Sequence, residues 1–209
     1  LIVGQCIGAN ALAAVGSAYT LMVFLISILL GLSMGSGTVF SLQYGAGDLS
    51  ALRRSIYVSF LLIGTITILL NVAVFLWLDP ILRWLQVPYD IYSLMRNYLW
   101  IIFWGIVFTF LYNFYAALLR AVGDSVTPLW FLAVSVVLNI GLDLFLILVL
   151  DQGIEGAAVA TVIAQGTAAS GILLYTYKTR PELRLHREDM CFDRSSLREI
   201  TSFSTLTCV

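Results

Sequence analysis

Long apolar runs separated by short polar segments dominate the chain. A helix that crosses a bilayer needs about 20 mostly apolar residues. The strands of a membrane barrel would instead alternate apolar and polar residues over about ten positions. The runs here are longer and uniformly apolar, so they predict an all-α polytopic transmembrane bundle. Five segments meet the length requirement for a spanning helix: about 13–44, 56–78, 98–119, 128–150 and 154–177.

The pattern changes after the fifth apolar run. Residues 178–199 carry many charges and predict a linker outside the membrane, and 200–209 begin another apolar run. Residues 1–177 are therefore interpreted as one transmembrane unit. The chain starts at Leu1 without a basic signal-peptide region and stops as the last run opens, as expected for a fragment of a longer protein.

Composition strengthens the membrane assignment. Of the 209 residues, 60% are hydrophobic and 11% are charged, whereas average soluble domains are about 25% charged. The net charge of -1 gives no positive field for nucleic acid. These values exclude an ordinary soluble enzyme, a nucleic-acid-binding protein and a disordered chain, and they make the lipid bilayer the first expected partner.

Catalytic and metal-binding sets are not visible in the sequence. Cys6, Cys191 and Cys208 have no CxxC spacing, which argues against a zinc site or a disulfide framework. His186 is the single histidine, and it lies in the most charged stretch, which is typical of a solvated loop. We expect no enzyme activity, no cofactor and no structural metal.

The distribution of basic residues predicts the orientation. Nine of the 11 lysines and arginines fall on one side of the predicted bundle, in the loops 45–55, 120–127 and 178–199. Lysine and arginine are enriched in cytoplasmic loops. These loops are therefore predicted to be cytoplasmic in a multi-pass protein of the plasma (inner) membrane, and the connections 79–97 and 151–155 are predicted to be external.

Asp143 is the one ionisable side chain well inside a predicted span. A carboxylate at that depth costs about 2.5–3.5 kcal/mol on insertion scales, and such residues usually face an ion or substrate path. Asn139 precedes it by one helical turn on the same face. Thr161 and Gln165 have the same spacing in the next span, at a similar depth.

These four side chains predict a polar cluster in the external half of the bundle. A buried carboxylate can bind and release a proton, and carboxylate, amide and hydroxyl oxygens also suit Na⁺. The residues do not choose between the two ions. Asn139, taken singly, is equally explained as a hydrogen-bonding contact between helices, and for Thr161 and Gln165 that is the favoured explanation.

Aromatic side chains crowd the third predicted span. Phe108 and Tyr112 lie deep in it and are candidates for lining a cavity that takes an apolar or cationic compound. Lipid-facing bulk is the simpler alternative for these residues.

Several segments, in this order and spacing, resemble the MATE family of multidrug and toxic compound extrusion transporters. Residues 3–16 resemble the external turn before its second helix, and 45–54 resemble the loop after that helix. Residues 119–128 resemble the loop before the fifth helix. Residues 139–143 resemble part of the fifth helix, and 153–161 resemble the start of the sixth.

The resemblance implies two six-helix lobes related as parallel repeats. The chain would hold helices two to six of twelve, from the N-terminal lobe, with the first helix missing and the C-terminal lobe as its partner. Family members use an H⁺ or Na⁺ gradient to export cationic amphipathic compounds. Asn139, Asp143 and Thr161 occupy the positions of the family's N-lobe cation site, where Na⁺ is also possible.

Three functions remain open from the sequence. The first is a cation-coupled antiporter that exports drug-like or metabolite cations. The second is a flippase for lipid-linked precursors in the same superfamily, which predicts basic residues lining a central cavity. The third is a non-transporting membrane scaffold, in which Asp143 would tolerate replacement by leucine.

Overall fold

The computed structural model describes residues 9–84 and 89–184 of the chain. Within these ranges the fold is all-α, which confirms the predicted class. The described elements are six α-helices, one π-helical turn and one 3₁₀ turn: α1 Ala9–Gly45, α2 Leu49–Trp84, α3 Tyr89–Trp104, α4 Ile106–Ala121, α5 Val126–Leu144, the π turn Phe145–Val149, α6 Gly153–Thr179 and the 3₁₀ turn Pro181–Leu183.

Several sequence predictions lie outside the described residues. They are those for the three cysteines, for His186, for most of the linker and for the apolar segment 200–209.

Four described helices are each long and apolar enough to cross a membrane, and α3 with α4 would make a fifth crossing. The third span was predicted as one helix over 98–119, and the structure instead bends by 42° between α3 and α4. The bend lies at Gly105. A Cβ atom on Gly105 would stand 2.7 Å from Gln165 Oε1 and 3.0 Å from the Ile102 carbonyl oxygen. Glycine therefore permits this close approach, whereas a larger residue would force the Gln165 side chain to shift.

The second span also differs from its predicted length. Residues 79–84 continue α2 instead of opening the external connection, and Pro80 lies inside the helix. A proline removes a backbone hydrogen bond and clashes with the preceding turn. The helix bends accordingly at Trp77, whose backbone has φ -111 and ψ 16.

The fourth span changes its helical type near its end. Its α-helix stops at Leu144, and residues 145–149 form a wider π turn. The Leu150 amide donates to the Phe145 carbonyl oxygen at 3.2 Å, five residues back. The chain then reverses through Asp151 (φ 50) and Gly153 (φ 57), both in the left-handed region. Single π turns inside helices often occur at functional sites.

The broken helix α3–α4 lies at the centre of the bundle. On one side it packs against α1 and α2, and on the other against α6, which in turn packs against α5. Phe114 of α4 is almost fully buried, and its ring meets Phe40 of α1 and Phe60 of α2 edge-on. Small residues on α6 let its neighbours approach closely, and the buried ones include Gly156, Ala160, Ala164 and Ala168.

Polar contacts join helix ends and loops at the two ends of the bundle. At the end predicted to be cytoplasmic, Arg53 Nε donates to the Glu182 carbonyl oxygen at 3.0 Å. At the same end, Arg180 lies 3.9 Å from the Asp124 carboxylate.

At the opposite end, Arg96 Nε donates to Asp79 at 2.8 Å. Asn97 Nδ2 donates to Glu155 Oε1 at 2.9 Å. Polar side-chain contacts thus join neighbouring elements at both ends of the bundle.

Candidate ion and substrate sites

Asn139 and Thr161 meet where α5 packs against α6. Asn139 Nδ2 donates to Thr161 Oγ1 at 3.3 Å, and the Thr161 hydroxyl donates to the Ala157 carbonyl oxygen at 2.9 Å. Both side chains are partly buried. The structure therefore brings together two of the four residues predicted to form the polar cluster.

Asp143 lies one turn further along α5 and is partly buried. Its Oδ1 atom is buried and has no hydrogen-bond partner in the part of the chain that the structure describes. The carboxylate lies within electrostatic range of Tyr98 on α3, a side chain that is 7% exposed. A buried carboxylate oxygen without a partner is costly when charged. This oxygen is therefore a candidate position for a proton or a small cation.

Ser135 adds a further polar side chain to the face of α5 that carries Asn139 and Asp143. It was not recognised from the sequence. It lies one turn before Asn139, is 9% exposed, and donates from Oγ to the Ala164 carbonyl oxygen at 2.9 Å. The spacing of 135, 139 and 143 places all three on one face of α5. That spacing could have predicted a role for Ser135, but serine is common in membrane helices and does not by itself indicate a functional site.

Gln165 lies one turn along α6 from Thr161, beside the bend in the third span. Its Oε1 approaches the backbone of Gly105. It also lines a cavity of about 290 Å³ together with Ser135 and Tyr112. The structure therefore associates Gln165 with the bend and with this cavity.

That cavity lies between α1, α4, α5 and α6 and has neutral walls. The lining side chains are a mixture of aliphatic, hydroxyl and amide groups: Ile26, Leu30, Thr109, Tyr112, Asn113, Leu132, Ser135, Gln165 and Ala168. Tyr112, a candidate from the sequence, is among these lining residues. Its hydroxyl also donates to the Pro128 carbonyl oxygen at 2.9 Å and so fixes the ring against the start of α5.

Phe108 occupies a different position. It does not belong to the lining of this cavity, and its ring packs against Gly166, with Cδ2 3.6 Å from where a Cβ would stand. Because these rings are four residues apart on a short helix, sequence spacing alone could not separate them. The neighbouring helix α6 decides which ring meets the cavity.

Asp124 fixes the start of α5 at the other end of the helix. It accepts the Thr127 amide at 3.1 Å and the Thr127 hydroxyl at 2.8 Å. Burial pushes the pKa of this carboxyl upward, but the Thr127 hydrogen bonds, the Arg180 charge and the Tyr175 hydroxyl outweigh it and hold the pKa below its ordinary value of 3.8. Asp124 therefore stays charged and caps the helix.

Within residues 9–84 and 89–184, no group of three or more histidine, cysteine, aspartate or glutamate side chains is placed to hold a metal ion. Within those residues, Asp143 is therefore not part of such a cluster.

The family model described as MatE matches residues 1–145. The chain belongs to the MATE family of membrane transporters. The sequence-based resemblance is thus confirmed. This MATE chain is 38% identical over 178 residues to the Probable multidrug resistance protein YpnP of Bacillus subtilis (strain 168), covering 85% of this chain and 40% of that protein.

Other relatives cover similar shares. YoeA of the same strain, also named a probable multidrug resistance protein, is 34% identical, over 95% of this chain and 42% of its own length. The multidrug export protein MepA of Staphylococcus aureus (strain NCTC 8325 / PS 47) is 32% identical, over 78% of this chain and 37% of its length. The chain therefore spans about two fifths of the curated relatives it matches.

Solved structures share the fold. A structure titled as the inward-facing conformation of a multidrug resistance MATE family transporter of the MOP superfamily matches with a TM-score of 0.93, 22% identity, and coverage of 99% of this chain and 47% of that one. A structure titled as the outward-facing conformation matches with a TM-score of 0.91, also at 22% identity, covering 99% of this chain and 46% of that one. At this identity the likeness shows the fold alone.

Proposed function

We propose that the chain forms the N-terminal lobe of a cation-coupled antiporter that exports cationic amphipathic compounds across the plasma (inner) membrane. The observation that carries the proposal is the buried Asp143 Oδ1 without a hydrogen-bond partner among the described residues. It stands one turn from the Asn139–Thr161 contact that joins α5 to α6. Intramembrane carboxylates of this kind commonly mark ion pathways.

The proposed mechanism couples ion occupancy of Asp143 to the packing of α5 on α6. A neutralised Asp143 is compatible with its dry surroundings, whereas the ionised form favours a more hydrated arrangement. Each state therefore stabilises a different opening of the lobe, and the ion gradient shifts the population between them. The π turn that follows Asp143 supplies a local irregularity where such repacking can occur.

The donor geometry supports H⁺ more directly than Na⁺. A proton needs one carboxylate oxygen, and Asp143 Oδ1 provides it. Na⁺ needs several oxygens, and here the Asn139 amide nitrogen points at Thr161 while the Thr161 hydroxyl is engaged with Ala157. A sodium site would require the Asn139 amide to turn its oxygen toward the ion, and amide orientation is assigned from the hydrogen bonds.

The cavity supports a cationic substrate over a phosphate-bearing one. Its walls combine the Tyr112 ring with the polar side chains of Asn113 and Gln165, and no lysine or arginine of residues 9–84 and 89–184 contributes to its lining. An aromatic face and amide oxygens attract a cation. A flippase for lipid-linked precursors would need basic residues to hold phosphate groups, so this lining favours the antiporter.

The test is Asp143→Asn in the full-length protein, measured as drug efflux and as ion-driven exchange in membrane vesicles. Removing the ionisable group should abolish coupled export while leaving insertion and thermal stability intact. Asp151→Asn is the matched control, because Asp151 is exposed in the external turn. Normal coupled export by Asp143→Asn would overturn the mechanism. A wild-type protein without export, together with no phenotype for Asp143→Leu, would point to the scaffold.

A further inference from the structure

A second cavity, of about 360 Å³, opens at the end of the bundle that the basic residues assign to the cytoplasm. It lies between the start of α2 and the ends of α4 and α6, and the 3₁₀ turn that follows α6 covers part of it. The hydrogen bond from Arg53 Nε to the Glu182 carbonyl oxygen fastens this turn to α2. This hydrogen bond therefore holds the 3₁₀ turn in place over the cavity. We call this cavity the interface cleft.

The inner wall of the interface cleft is mainly apolar. Ile56, Leu118 and Leu183 contribute almost completely buried side chains. The other apolar and aromatic residues of the wall are Tyr115, Leu173 and Tyr177. A surface of this kind accommodates hydrocarbon.

The rim of the interface cleft carries two guanidinium groups, Arg180 and Arg184. Arg184 Nε donates to the Tyr177 carbonyl oxygen at 2.9 Å, and its guanidinium carbon lies 4.5 Å from the centre of the Tyr177 ring. Among residues 9–84 and 89–184, no carboxylate lies within ion-pair distance of Arg184. Its charge is held in position and is available to an anion.

Arg180 lies within ion-pair distance of two carboxylates but donates a hydrogen bond to neither. Its guanidinium nitrogens stand 3.9 Å from the Asp124 carboxylate and 3.6 Å from that of Glu182, both beyond hydrogen-bond distance. Asp124 is already occupied by the Thr127 amide and hydroxyl. Arg180 can therefore turn its donors toward a phosphate without breaking a hydrogen bond.

We infer that the interface cleft binds an anionic phospholipid of the cytoplasmic leaflet, with its phosphate between Arg180 and Arg184 and an acyl chain along the wall formed by Leu173 and Ile56. Basic pockets between helices on the cytoplasmic side are suited to anionic headgroups. Charge at the rim and apolar area behind it match an amphipathic anion, whereas a free phosphate would use the rim alone. The cleft lies near the end of α6, far along that helix from Thr161, so the inference does not depend on the proposed coupling site.

The test measures lipid binding to the purified full-length protein by native mass spectrometry, titrating phosphatidylglycerol and, separately, phosphatidylcholine. Phosphatidylglycerol should bind more tightly. Arg180→Gln and Arg184→Gln should each weaken its binding about fivefold, the effect of one basic residue near an anionic surface. Arg120→Gln should leave binding unchanged, since Arg120 is an exposed arginine of the same end that lines a different cavity.

Two further experiments test whether the acyl chain occupies the apolar wall and whether free phosphate can replace the lipid. Leu173→Trp fills the apolar wall without changing charge, and it should weaken phosphatidylglycerol binding while both arginines remain. Inorganic phosphate at the same concentration should not displace the lipid. Equal binding of the two lipids, wild-type affinity in the arginine or tryptophan variants, or displacement by inorganic phosphate would each overturn the inference.

Discussion

Asn71 of α2 donates from Nδ2 to the Phe103 carbonyl oxygen at 2.6 Å, just before the bend that separates α3 from α4. Asn71 is 9% exposed, so the hydrogen bond lies in the protein interior. A break in a helix frees backbone groups that a dry environment cannot leave unpaired. The side chain of one span thus stabilises the irregular backbone of another.

Replacing this donor should therefore cost stability. We expect Asn71→Leu, which keeps the volume and removes the hydrogen bond, to lower the free energy of unfolding by about 1–3 kcal/mol, the cost of an unsatisfied buried carbonyl group. Thermal or denaturant unfolding of the full-length protein measures the change. Asn97→Leu serves as the control at an exposed asparagine, and a similar loss in both variants would contradict the assignment.

The close approach of Gln165 to Gly105 leads to a second prediction. Gly105→Ala should destabilise the bent span, because its new Cβ would meet Gln165 Oε1 at 2.7 Å and Val162 Cγ2 at 3.1 Å. Gly64→Ala is the matched helical control, since its nearest contacts, in the Phe110 ring, would be an ordinary 3.7 Å. Shortening the clashing side chain in Gly105→Ala/Gln165→Ala should recover part of the melting temperature. Additive losses in the double variant would show that the two residues do not interact.

Two substitutions of Tyr112 distinguish the contribution of its ring from that of its hydroxyl to the proposed substrate binding. Tyr112→Phe removes the hydrogen bond to the Pro128 carbonyl oxygen and keeps the aromatic face, so export of a cationic dye should persist with a modest change in KM. Tyr112→Leu removes the face as well and should raise KM further, since cation–π contacts contribute about 0.5–2 kcal/mol. Phe108→Leu is the control ring, because Phe108 packs on Gly166 away from the cavity. Equal KM values for the phenylalanine and leucine variants would exclude a role for the ring.

The lowered pKa of Asp124 predicts a pH-dependent stability. A carboxyl whose folded pKa lies below its ordinary 3.8 contributes stability above that value and loses it as the pH falls through the folded pKa. Asp124→Asn should therefore lower the melting temperature at neutral pH, and its difference from wild type should shrink below about pH 4. Asp151→Asn, in an exposed turn, serves as the control substitution. A melting-temperature difference that stays constant with pH would show that the ionised Asp124 carboxylate is not the cause of the stabilisation.

Much of the architecture was predictable because its cause is local. The cost of exposing polar backbone to lipid forces apolar runs of this length into helices, so hydropathy alone predicts the spans and the all-α class. The same cost makes Asp143 conspicuous in the fourth span without any knowledge of its neighbours. Helical spacing likewise placed Asn139 and Thr161 at a depth where α5 and α6 could join them.

The tertiary structure decided what depends on contacts between spans. At the bend, Gly105 lies close to Gln165, and the Phe103 carbonyl oxygen accepts a hydrogen bond from Asn71. Neither partner is encoded within residues 98–119. Packing of α6 also determined that Tyr112 lines a cavity while Phe108 packs on a glycine. Hydropathy reports the transfer of each segment from water to lipid, whereas these features arise from which helix faces meet after every segment is already in the membrane.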